Sequence, residues 1–276
     1  MLIQTTADGS HTLFVPEIGE SYHSIHGAIQ ESTVVFIEQG LRACSLNTIH
    51  VLEIGFGTGL NALLTALEAC RTKKRIHYTT IERFPVSIEN AHLLNYPELL
   101  LCQIIDCHSE CSIAESKNLR DPSTSLRMTE RSNLKHFMAD KSLMLNCYEQ
   151  FDKIHQASWE EDVDINPYFV LHKIKTDFTT CSLSGMYDVV YFDPFSPEKQ
   201  PEMWEESCFR EIADHCSPDA ILTTYCAKGS VRRTLQKVGF RVERLPGPPG
   251  KREILRAKKL FNPDFFYLPD NSAVGC

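Results

Sequence analysis

The stretch VLEIGFGTGLNALL, residues 51–64, decides the fold of this chain. Its first residues are almost wholly apolar, as expected of a central parallel strand that is buried on both faces of a sheet. Three glycines follow at every second position, and an amphipathic helical pattern then runs to Arg71. Glycine lets the backbone turn sharply and approach a ligand closely. The stretch therefore predicts a strand, a glycine-rich ligand-binding turn and a helix.

The glycine spacing narrows the class of ligand. A dinucleotide site has the pattern G-x-G-x-x-G, with the pyrophosphate at the helix N-terminus. Here the pattern is E-x-G-x-G-x-G, formed by Glu53, Gly55, Gly57 and Gly59. The carboxylate would repel a pyrophosphate, but it suits a ligand that carries an amino group and a sulfonium, as S-adenosylmethionine does. We therefore predict that these four residues bind S-adenosylmethionine, and a dinucleotide-dependent oxidoreductase is the least favoured enzyme class.

Strand and helix patterns alternate along the rest of the chain, which predicts an α/β fold with a doubly wound sheet. The last two predicted strands, 240–247 and 251–258, form an antiparallel pair. Between the strands we predict helices at 85–96, ending near Pro97, and at 201–216 and 230–239, with a further helical pattern at 142–154.

The N-terminal part differs from this alternation. Asp8-Gly9 predicts a tight turn in a hairpin over residues 2–15. Residues 29–43 carry apolar residues at helical spacing, and the helix is predicted to end at Gly40. We divide the chain into an N-terminal extension, 1–45, which holds the hairpin and a substrate loop, and a main domain, 46–276. Residues 108–135 are polar and lack a clear period, so we expect a disordered insertion.

Acidic residues stand at the ends of other predicted strands. Glu82 ends the second central strand, where a carboxylate can accept both ribose hydroxyls of an adenosine. Asp177 suits an adenine amino group, and Phe178 suits the face of the ring. The alternative interpretations are a surface glutamate for Glu82 and a core side chain for Phe178. Because parallel strands end at one rim of a sheet, the three residues are predicted to complete the cofactor site.

Asp193-Pro194-Phe195 ends the strand YDVVYFD at the same rim. The Asp193 carboxylate can accept hydrogen bonds from the N–H groups of an amine and so direct the nitrogen lone pair. It can also take a proton from the amine, directly or through water. Pro194 stiffens the turn, and Phe195 can stack on a planar base. The alternative is that Asp193 or Ser196 caps the following helix. We predict Asp193 as the catalytic residue of an amine methylation.

Composition and charge set the class of protein. The 276 residues carry a net charge of −8 and eleven cysteines without a C-x-x-C pair, so free thiols and a cytoplasmic location are expected. Apolar runs long enough to span a membrane and a signal peptide are both absent from the sequence. Cys102, Cys107, His108 and Cys111 form the densest group of metal-ligand types, but their spacing matches no common zinc pattern, so we predict no metal.

The charge is unevenly distributed. Residues 228–260 contain eleven basic residues and two acidic ones. This window can provide a phosphate-binding surface on an otherwise acidic protein, and the alternative is a solvated basic tail. Its candidate contacts are Lys228, Arg232, Arg233, Lys251 and Arg252. In the N-terminal loop, His23, Ser24, His26 and Glu31 are candidate substrate contacts or, equally, residues that shape the loop.

The motifs VLEIGFGTGLN, YFDPFSPEKQPEMW, AKGSVRRTLQKVGF and LPGPPGKREILRA resemble those of tRNA wobble-uridine methyltransferases, namely the methyltransferase half of bifunctional MnmC and its stand-alone MnmD-type relatives. The resemblance covers nearly all of the chain except about 102–165. It implies a class I S-adenosylmethionine-dependent methyltransferase fold.

The implied activity is methylation of 5-aminomethyl-(2-thio)uridine in a tRNA anticodon loop to 5-methylaminomethyl-(2-thio)uridine. The family's proposed catalytic aspartate falls on Asp193, its glycine motif on Glu53 to Gly59, and its acidic strand end on Glu82. The FAD-dependent oxidative half of the bifunctional relatives is not expected, so no FAD is predicted. Two alternatives stay open: a small-molecule amine methyl- or aminopropyltransferase, and a non-catalytic RNA-binding module.

Overall fold

The computed structural model describes residues 1–102 and 146–260. The predicted insertion at 108–135 and all of the cysteine-rich group except Cys102 lie outside the described residues. Within the described ranges, no helix is long and apolar enough to cross a bilayer, and no cluster of three or more His, Cys, Asp or Glu side chains is arranged to hold a metal ion.

The central element is an eight-stranded sheet with the order β10-β11-β9-β8-β4-β5-β7-β6. Strands β4, β5, β7, β8 and β9 are parallel, whereas β11 is antiparallel to β9 and β10, and β6 is antiparallel to β7. This order confirms the doubly wound sheet and the C-terminal antiparallel pair. The strands are β4 (Thr48–Ile54), β5 (Arg75–Ile81), β6 (Asp162–Asn166), β7 (Phe169–Ile174), β8 (Tyr187–Phe192), β9 (Cys216–Thr224), β10 (Phe240–Pro246) and β11 (Glu253–Lys259).

Helices cover both faces of the sheet, and each face has its own apolar core. Ile49 and Val51 of β4 pack into one cluster, and Leu52 and Ile54 of the same strand pack into the other. Because successive side chains of a strand point to opposite faces, a strand in this position must be apolar throughout. The helices are α1 (Ala28–Ser32, continuing as a π-helical segment Thr33–Glu38), α2 (Leu60–Thr72), α3 (Ile88–Ala91), α4 (residues 96–102), α5 (residues 146–156), α6 (Glu206–Asp214) and α7 (Gly229–Lys237).

A separate three-stranded sheet lies at the N-terminus, formed by β1 (Leu2–Thr5), β2 (His11–Val15) and β3 (Glu20–Ser21). The predicted hairpin is confirmed, with β1 and β2 antiparallel around the Asp8-Gly9 turn. Gly9 has φ +84°, a conformation that favours glycine. The Asp8 carboxylate accepts hydrogen bonds from the backbone N–H groups of Ser10 and Gln30, which joins the hairpin to α1.

Two sequence predictions of secondary structure are wrong. The helix predicted at 85–96 is only the single turn of α3, and Pro97 lies in the first turn of α4 rather than at a helix end. Proline is tolerated in a first turn because the N–H it lacks has no helical partner there. The helix predicted at 201–216 is also interrupted at Glu205, between a 3₁₀ turn (Pro201–Trp204) and α6.

The hairpin of β6 and β7 is missing from the sequence prediction, which assigned no strand to residues 162–174. Its pattern is obscured by a buried lysine. Lys173 of β7 is 1% exposed, and its ammonium donates to the carbonyl oxygens of Ile154 and His155 at the end of α5. Its ammonium also lies 4.8 Å from the centre of the Trp159 ring. Burying a charge requires such partners, and these are distant enough in sequence that periodicity does not reveal them.

A buried carboxylate links α2 to the segment that follows α1. Glu68 is 6% exposed and receives hydrogen bonds from Arg42 and Arg71. Burial alone would raise the pKa of Glu68, but the hydrogen bonds from Arg71 and Arg42 lower it to about 2. The ionised form is therefore stabilised by folding.

We predict that Glu68→Gln lowers the free energy of unfolding at pH 7 by about 1–2 kcal/mol, after allowance for the solvent-exposed arginines. The folded-state pKa lies below the ordinary value of 4.5, so this contribution is present above pH 4.5 and is lost as the pH falls toward 2. Urea unfolding at pH 7 and pH 3.5 should show a smaller difference between variant and wild type at the lower pH. Glu149→Gln, which removes an exposed pair with Lys153, is the control and should change stability by less than about 0.5 kcal/mol. A difference for Glu68→Gln that stays constant with pH would contradict the assignment.

Candidate active site

The carboxyl ends of the parallel strands meet at one edge of the large sheet, and a cleft of about 840 Å³ opens there. Its walls come from the turns after β4, β5, β7, β8 and β9, and from the N-terminal segment that includes β3. Such edges are the usual ligand sites of open α/β sheets. Twelve of the residues predicted to form the site line the cleft: His23, Ser24, Glu31, Gly55, Gly57, Glu82, Asp177, Phe178, Asp193, Pro194, Phe195 and Lys251.

The glycine turn forms the floor of the cleft. Gly55 and Gly57 have φ values of +95° and +51°. A Cβ atom on Gly55 would lie 2.8 Å from the carbonyl oxygen of Asp193, and one on Gly57 would lie 2.9 Å from Cδ1 of Tyr22. Gly59 (φ +72°) does not line the cleft, and a Cβ there would meet the ring of His155 instead. Only glycine fits these positions, because both the backbone angles and the space exclude a side chain.

Glu53 lies in a different place from the one predicted. It is fully buried beneath the glycine turn and is not part of the cleft wall. One carboxylate oxygen accepts a hydrogen bond of 2.7 Å from Thr80, and the other has no partner among the described residues. Burial raises the pKa of Glu53 to about 8, against the opposing hydrogen bond of Thr80. The reason is the strand period, which places Glu53 on the same face of the sheet as Ile49 and Val51, where α2 packs.

Glu82, Asp177 and Phe178 lie together on the side of the cleft next to β5. The Glu82 carboxylate accepts from the backbone N–H groups of Gly57 (3.1 Å) and Phe84 (2.7 Å). Asp177 pairs with Arg83 at 2.7 Å, and hydrogen bonds from Thr179 keep the pKa of Asp177 below its usual value. Phe178 is 4% exposed, so it is both a core residue and a wall of the cleft. These residues form an acidic half of the cleft with one apolar wall.

Asp193 stands between the glycine turn and the N-terminal segment. Its backbone N–H donates to the carbonyl of Ile54, and its carboxylate accepts a 2.9 Å hydrogen bond from the Asn61 side chain. Burial, and then the nearby charge of Glu31, raise the pKa of Asp193 well above the ordinary value. The alternative of a helix cap does not hold, because the 3₁₀ turn begins after Gln200 without a side-chain cap. Ser196 instead donates to Glu20.

The turn after Asp193 is fixed from several sides. The Pro194 carbonyl accepts from the hydroxyl of Tyr225 at 2.8 Å, and the Phe195 carbonyl accepts from the Trp204 ring N–H at 2.9 Å. The Phe195 ring lies 5.1 Å from that of Tyr22, centre to centre. The rings of Tyr22 and Phe195 form an aromatic wall in the half of the cleft that holds the Asp193 carboxylate. This half of the cleft therefore suits a flat or cationic group.

The N-terminal segment contributes both wall and support. His23 bonds Thr58 of the glycine turn at 2.7 Å, and burial lowers the pKa of His23 to about 4, so its ring is neutral near pH 7. Glu31 is 6% exposed and accepts from the backbone N–H of Ser24. The two interpretations offered for these residues, loop shaping and substrate contact, therefore do not exclude each other. His26 does not line the cleft and packs against Gly250.

Lys251 lies apart from the other basic candidates. Its ammonium is 2.6 Å from Glu31 and 4.0 Å from the centre of the Tyr225 ring, in the wall of the cleft. This pairing joins the N-terminal segment to the loop between β10 and β11. A lysine held in this way is not free to form the predicted phosphate contact.

The basic window is not one continuous surface. Six of its eleven basic residues pair with acids: Lys228 with Glu198, Lys237 with Glu206, Arg244 with Glu253, Lys251 with Glu31, Arg256 with Glu243 and Lys258 with Asp219. Because β10 and β11 are antiparallel, Arg241, Lys258 and Lys259 lie at the edge of the sheet opposite the cleft. Arg233 extends back toward Gly229 at the start of α7, and Arg252 follows the cleft residue Lys251. Neither Arg233 nor Arg252 lines the cleft, but both lie on segments at its edge.

Among the cleft residues that sequence reasoning missed are Tyr22, Asn61 and Tyr225. Asn61 had a signal, since it is a polar residue in the first turn of the helix that directly follows the glycine motif. Tyr225 follows directly after β9 and so could have been placed at the rim. Tyr22 gives no such signal, because only the packing of the N-terminal sheet brings it over Gly57.

Comparisons with known proteins agree with this geometry. A family model described as S-adenosyl-L-methionine-dependent methyltransferase matches residues 138–260. The tRNA 5-methylaminomethyl-2-thiouridine biosynthesis bifunctional protein MnmC of Paracidovorax citrulli is 28% identical over 257 residues, covering 90% of this chain and 34% of that protein. The protein of the same name from Idiomarina loihiensis is 29% identical over 247 residues, covering 85% and 34%. The chain thus spans about a third of the length of the curated relatives it matches.

Among solved structures, the crystal structure of MNMC2 from Aquifex aeolicus superposes with a TM-score of 0.61 at 23% identity, covering 95% of this chain and 70% of that one. The chain therefore has the class I S-adenosylmethionine-dependent methyltransferase fold. The resemblance predicted from the motifs, to the methyltransferase part of MnmC, is confirmed.

The glycine turn can be tested by adding a single methyl group. We predict that Gly55→Ala lowers stability and weakens binding of S-adenosylhomocysteine at least about tenfold, because the new Cβ meets a backbone oxygen that cannot move aside. Gly185→Ala is the matched control, since Gly185 has φ +80° and a Cβ added there would have nothing within 4 Å. It should cost about 1 kcal/mol of backbone strain and leave binding intact. Thermal unfolding and calorimetric titration measure the two effects, and equal binding by both variants would contradict this interpretation of the turn.

Proposed function

We propose that this protein methylates the amino group of 5-aminomethyl-(2-thio)uridine at the wobble position of tRNA, in the cytoplasm, with S-adenosylmethionine as methyl donor, to give 5-methylaminomethyl-(2-thio)uridine. The observation that carries the proposal is the position of the Asp193 carboxylate, between the glycine turn and an aromatic wall. The names of the MnmC relatives support the pathway.

The residues at the glycine turn fit the proposed cofactor. The turn leaves a cradle that a Cβ atom would fill, and Asn61 has a buried oxygen without a partner in the described ranges. Glu82 would hold the ribose hydroxyls, while Asp177 and Phe178 would hold the adenine. Glu53, which is buried beneath the glycine turn, would support the turn rather than contact the cofactor directly. When bound, S-adenosylmethionine supplies an electrophilic methyl group on a positively charged sulfur.

Asp193 would act on the acceptor. The acceptor group is an alkyl amine like the side-chain amine of lysine, whose pKa is about 10. It therefore arrives as an ammonium without a free lone pair. The Asp193 carboxylate can bind the ammonium by an N–H group, accept one proton, and leave the nitrogen lone pair directed at the methyl group. A carboxylate whose pKa is raised by burial and by Glu31 accepts that proton more readily than an exposed one.

The surroundings of Asp193 favour a cationic, flat acceptor. Glu31 adds negative charge near the carboxylate, and the rings of Tyr22 and Phe195 offer a stacking surface. A nucleotide in an anticodon loop can leave its stack to enter such a pocket, because loops are where proteins reach RNA bases. Arg233 and Arg252 are then the residues that would contact the flanking phosphates.

We predict that Asp193→Ala lowers the rate of methyl transfer at least about a hundredfold, because it removes the group that holds and deprotonates the amine. Its affinity for S-adenosylhomocysteine should stay within a few fold of wild type. Single-turnover transfer to tRNA that carries 5-aminomethyluridine measures the rate. Asp188→Ala is the matched control, since Asp188 is a half-buried carboxylate at the other end of β8. If Asp193→Ala loses cofactor affinity while the bound complex turns over normally, the proposed role of Asp193 is wrong.

The RNA surface can be tested by charge reversal. We predict that Arg233→Glu combined with Arg252→Glu weakens tRNA binding at least about tenfold at 0.1 M salt and flattens its salt dependence, because phosphate contacts are lost. Arg241→Glu combined with Lys258→Glu changes the charge equally at the opposite edge and should have little effect. Filter binding at several salt concentrations provides the comparison. Equal affinity of the two double variants would remove this surface from the proposal and favour a small-molecule amine as acceptor.

A further inference from the structure

The Asn61 side chain connects the two halves of the cleft. It lies in the first turn of α2, directly after the glycine turn, and is 3% exposed although it reaches the cleft. Its Nδ2 atom donates to Oδ2 of Asp193 at 2.9 Å. The same side chain therefore belongs to the element that forms the cofactor cradle and touches the carboxylate proposed to act on the acceptor.

The contact with Asp193 fixes the orientation of the carboxamide. Its NH₂ group must face the carboxylate, because a carboxamide oxygen would meet the carboxylate oxygens without a hydrogen to share. The same hydrogen bond opposes the burial that raises the pKa of Asp193.

The opposite end of the amide is unsatisfied. Oδ1 of Asn61 is buried and has no hydrogen-bond partner among the described residues. Leaving a buried acceptor unpaired costs roughly 1–3 kcal/mol, and such atoms are rare in folded proteins. Since Asn61 lines the cleft, a bound ligand with an N–H group can supply the missing donor.

We propose that Asn61 is a positioning residue for the methyl transfer: its NH₂ group holds the Asp193 carboxylate in place, and its carbonyl oxygen receives an N–H of the bound ligand. This rests on the proposed function. The ligand chemistry is an amine or ammonium, which occurs both on the amino-acid part of the methyl donor and on the acceptor. In either case, the side chain that contacts the bound ligand is also the one that holds the Asp193 carboxylate in place.

Asn61→Ala and Asn61→Asp test this inference, with Asn95→Ala as the matched control. The Asn95 side chain is likewise hydrogen-bonded, to His11 and Gly9, but does not line the cleft. All variants are first checked by circular dichroism. Three quantities are then compared: the affinity for S-adenosylhomocysteine by calorimetry, kcat with tRNA that carries 5-aminomethyluridine, and the pH dependence of kcat/KM.

We expect Asn61→Ala to lower kcat about tenfold or more. A parallel loss of S-adenosylhomocysteine affinity would identify the donor's amino group as the partner of Oδ1, and an unchanged affinity would identify the acceptor amine. Asn61→Asp places a third carboxyl group beside two others, so the acidic limb of the kcat/KM profile should move up by about one pH unit. A purely structural role would not move this limb.

The inference is overturned if both Asn61 variants match Asn95→Ala in affinity, kcat and pH profile while the wild type is active.

The behaviour of the wild-type protein tests the proposed function separately. Wild-type protein that binds S-adenosylhomocysteine but transfers no methyl group to this tRNA would refute the function. The affinity of Asn61→Ala would then decide alone whether Asn61 receives a ligand N–H.

Discussion

The close approach of Gly55 to the carbonyl oxygen of Asp193 is the constraint on which the site depends. The N–H of Asp193 continues the ladder between β8 and β4 by bonding Ile54, and the N–H of Gly55 continues the ladder between β4 and β5 by bonding Ile81. The strand ends are therefore locked to one another by sheet hydrogen bonds up to the last residue before the cleft. A side chain on Gly55 would force them apart. The distance between the cradle and the Asp193 backbone is thus set by sheet hydrogen bonds, and the Asn61 side chain then orients the Asp193 carboxylate.

Several acids in this region are buried or half-buried, and the structure stabilises each of them differently. Glu82 receives two backbone N–H groups, and Glu31 receives a lysine. Glu53 and Asp193 have weaker support, and their pKa values are raised by burial. Perturbed carboxyl groups of this kind cluster at functional sites, because acid–base groups need pKa values matched to their task. The raised pKa of Asp193 suits the proposed role of this carboxyl group as acceptor of the amine proton.

Much of the architecture could be predicted from the sequence, because its signals are local. The glycine turn, the buried central strands and the C-terminal strand pair are each encoded within a short stretch of residues. The features that could not be predicted depend on distant partners. Lys173 conceals β7 because its ammonium is satisfied by carbonyls at the end of another helix. Glu53 was placed in the cleft because the motif specifies a residue type but not the face of the strand. The basic window was interpreted as one surface because the acids that neutralise it come from other parts of the chain.

The pairing of Glu31 with Lys251 has a consequence for how the protein is made. One partner is near the beginning of the chain and the other is in the last strand connection that the structure describes. On the ribosome, the N-terminal hairpin and the glycine turn emerge early, whereas the segment that anchors the aromatic wall emerges late. Contacts between such distant segments form only after long loops close. The cleft wall formed by the Glu31–Lys251 pair is therefore completed only after the connection between β10 and β11 has been synthesised.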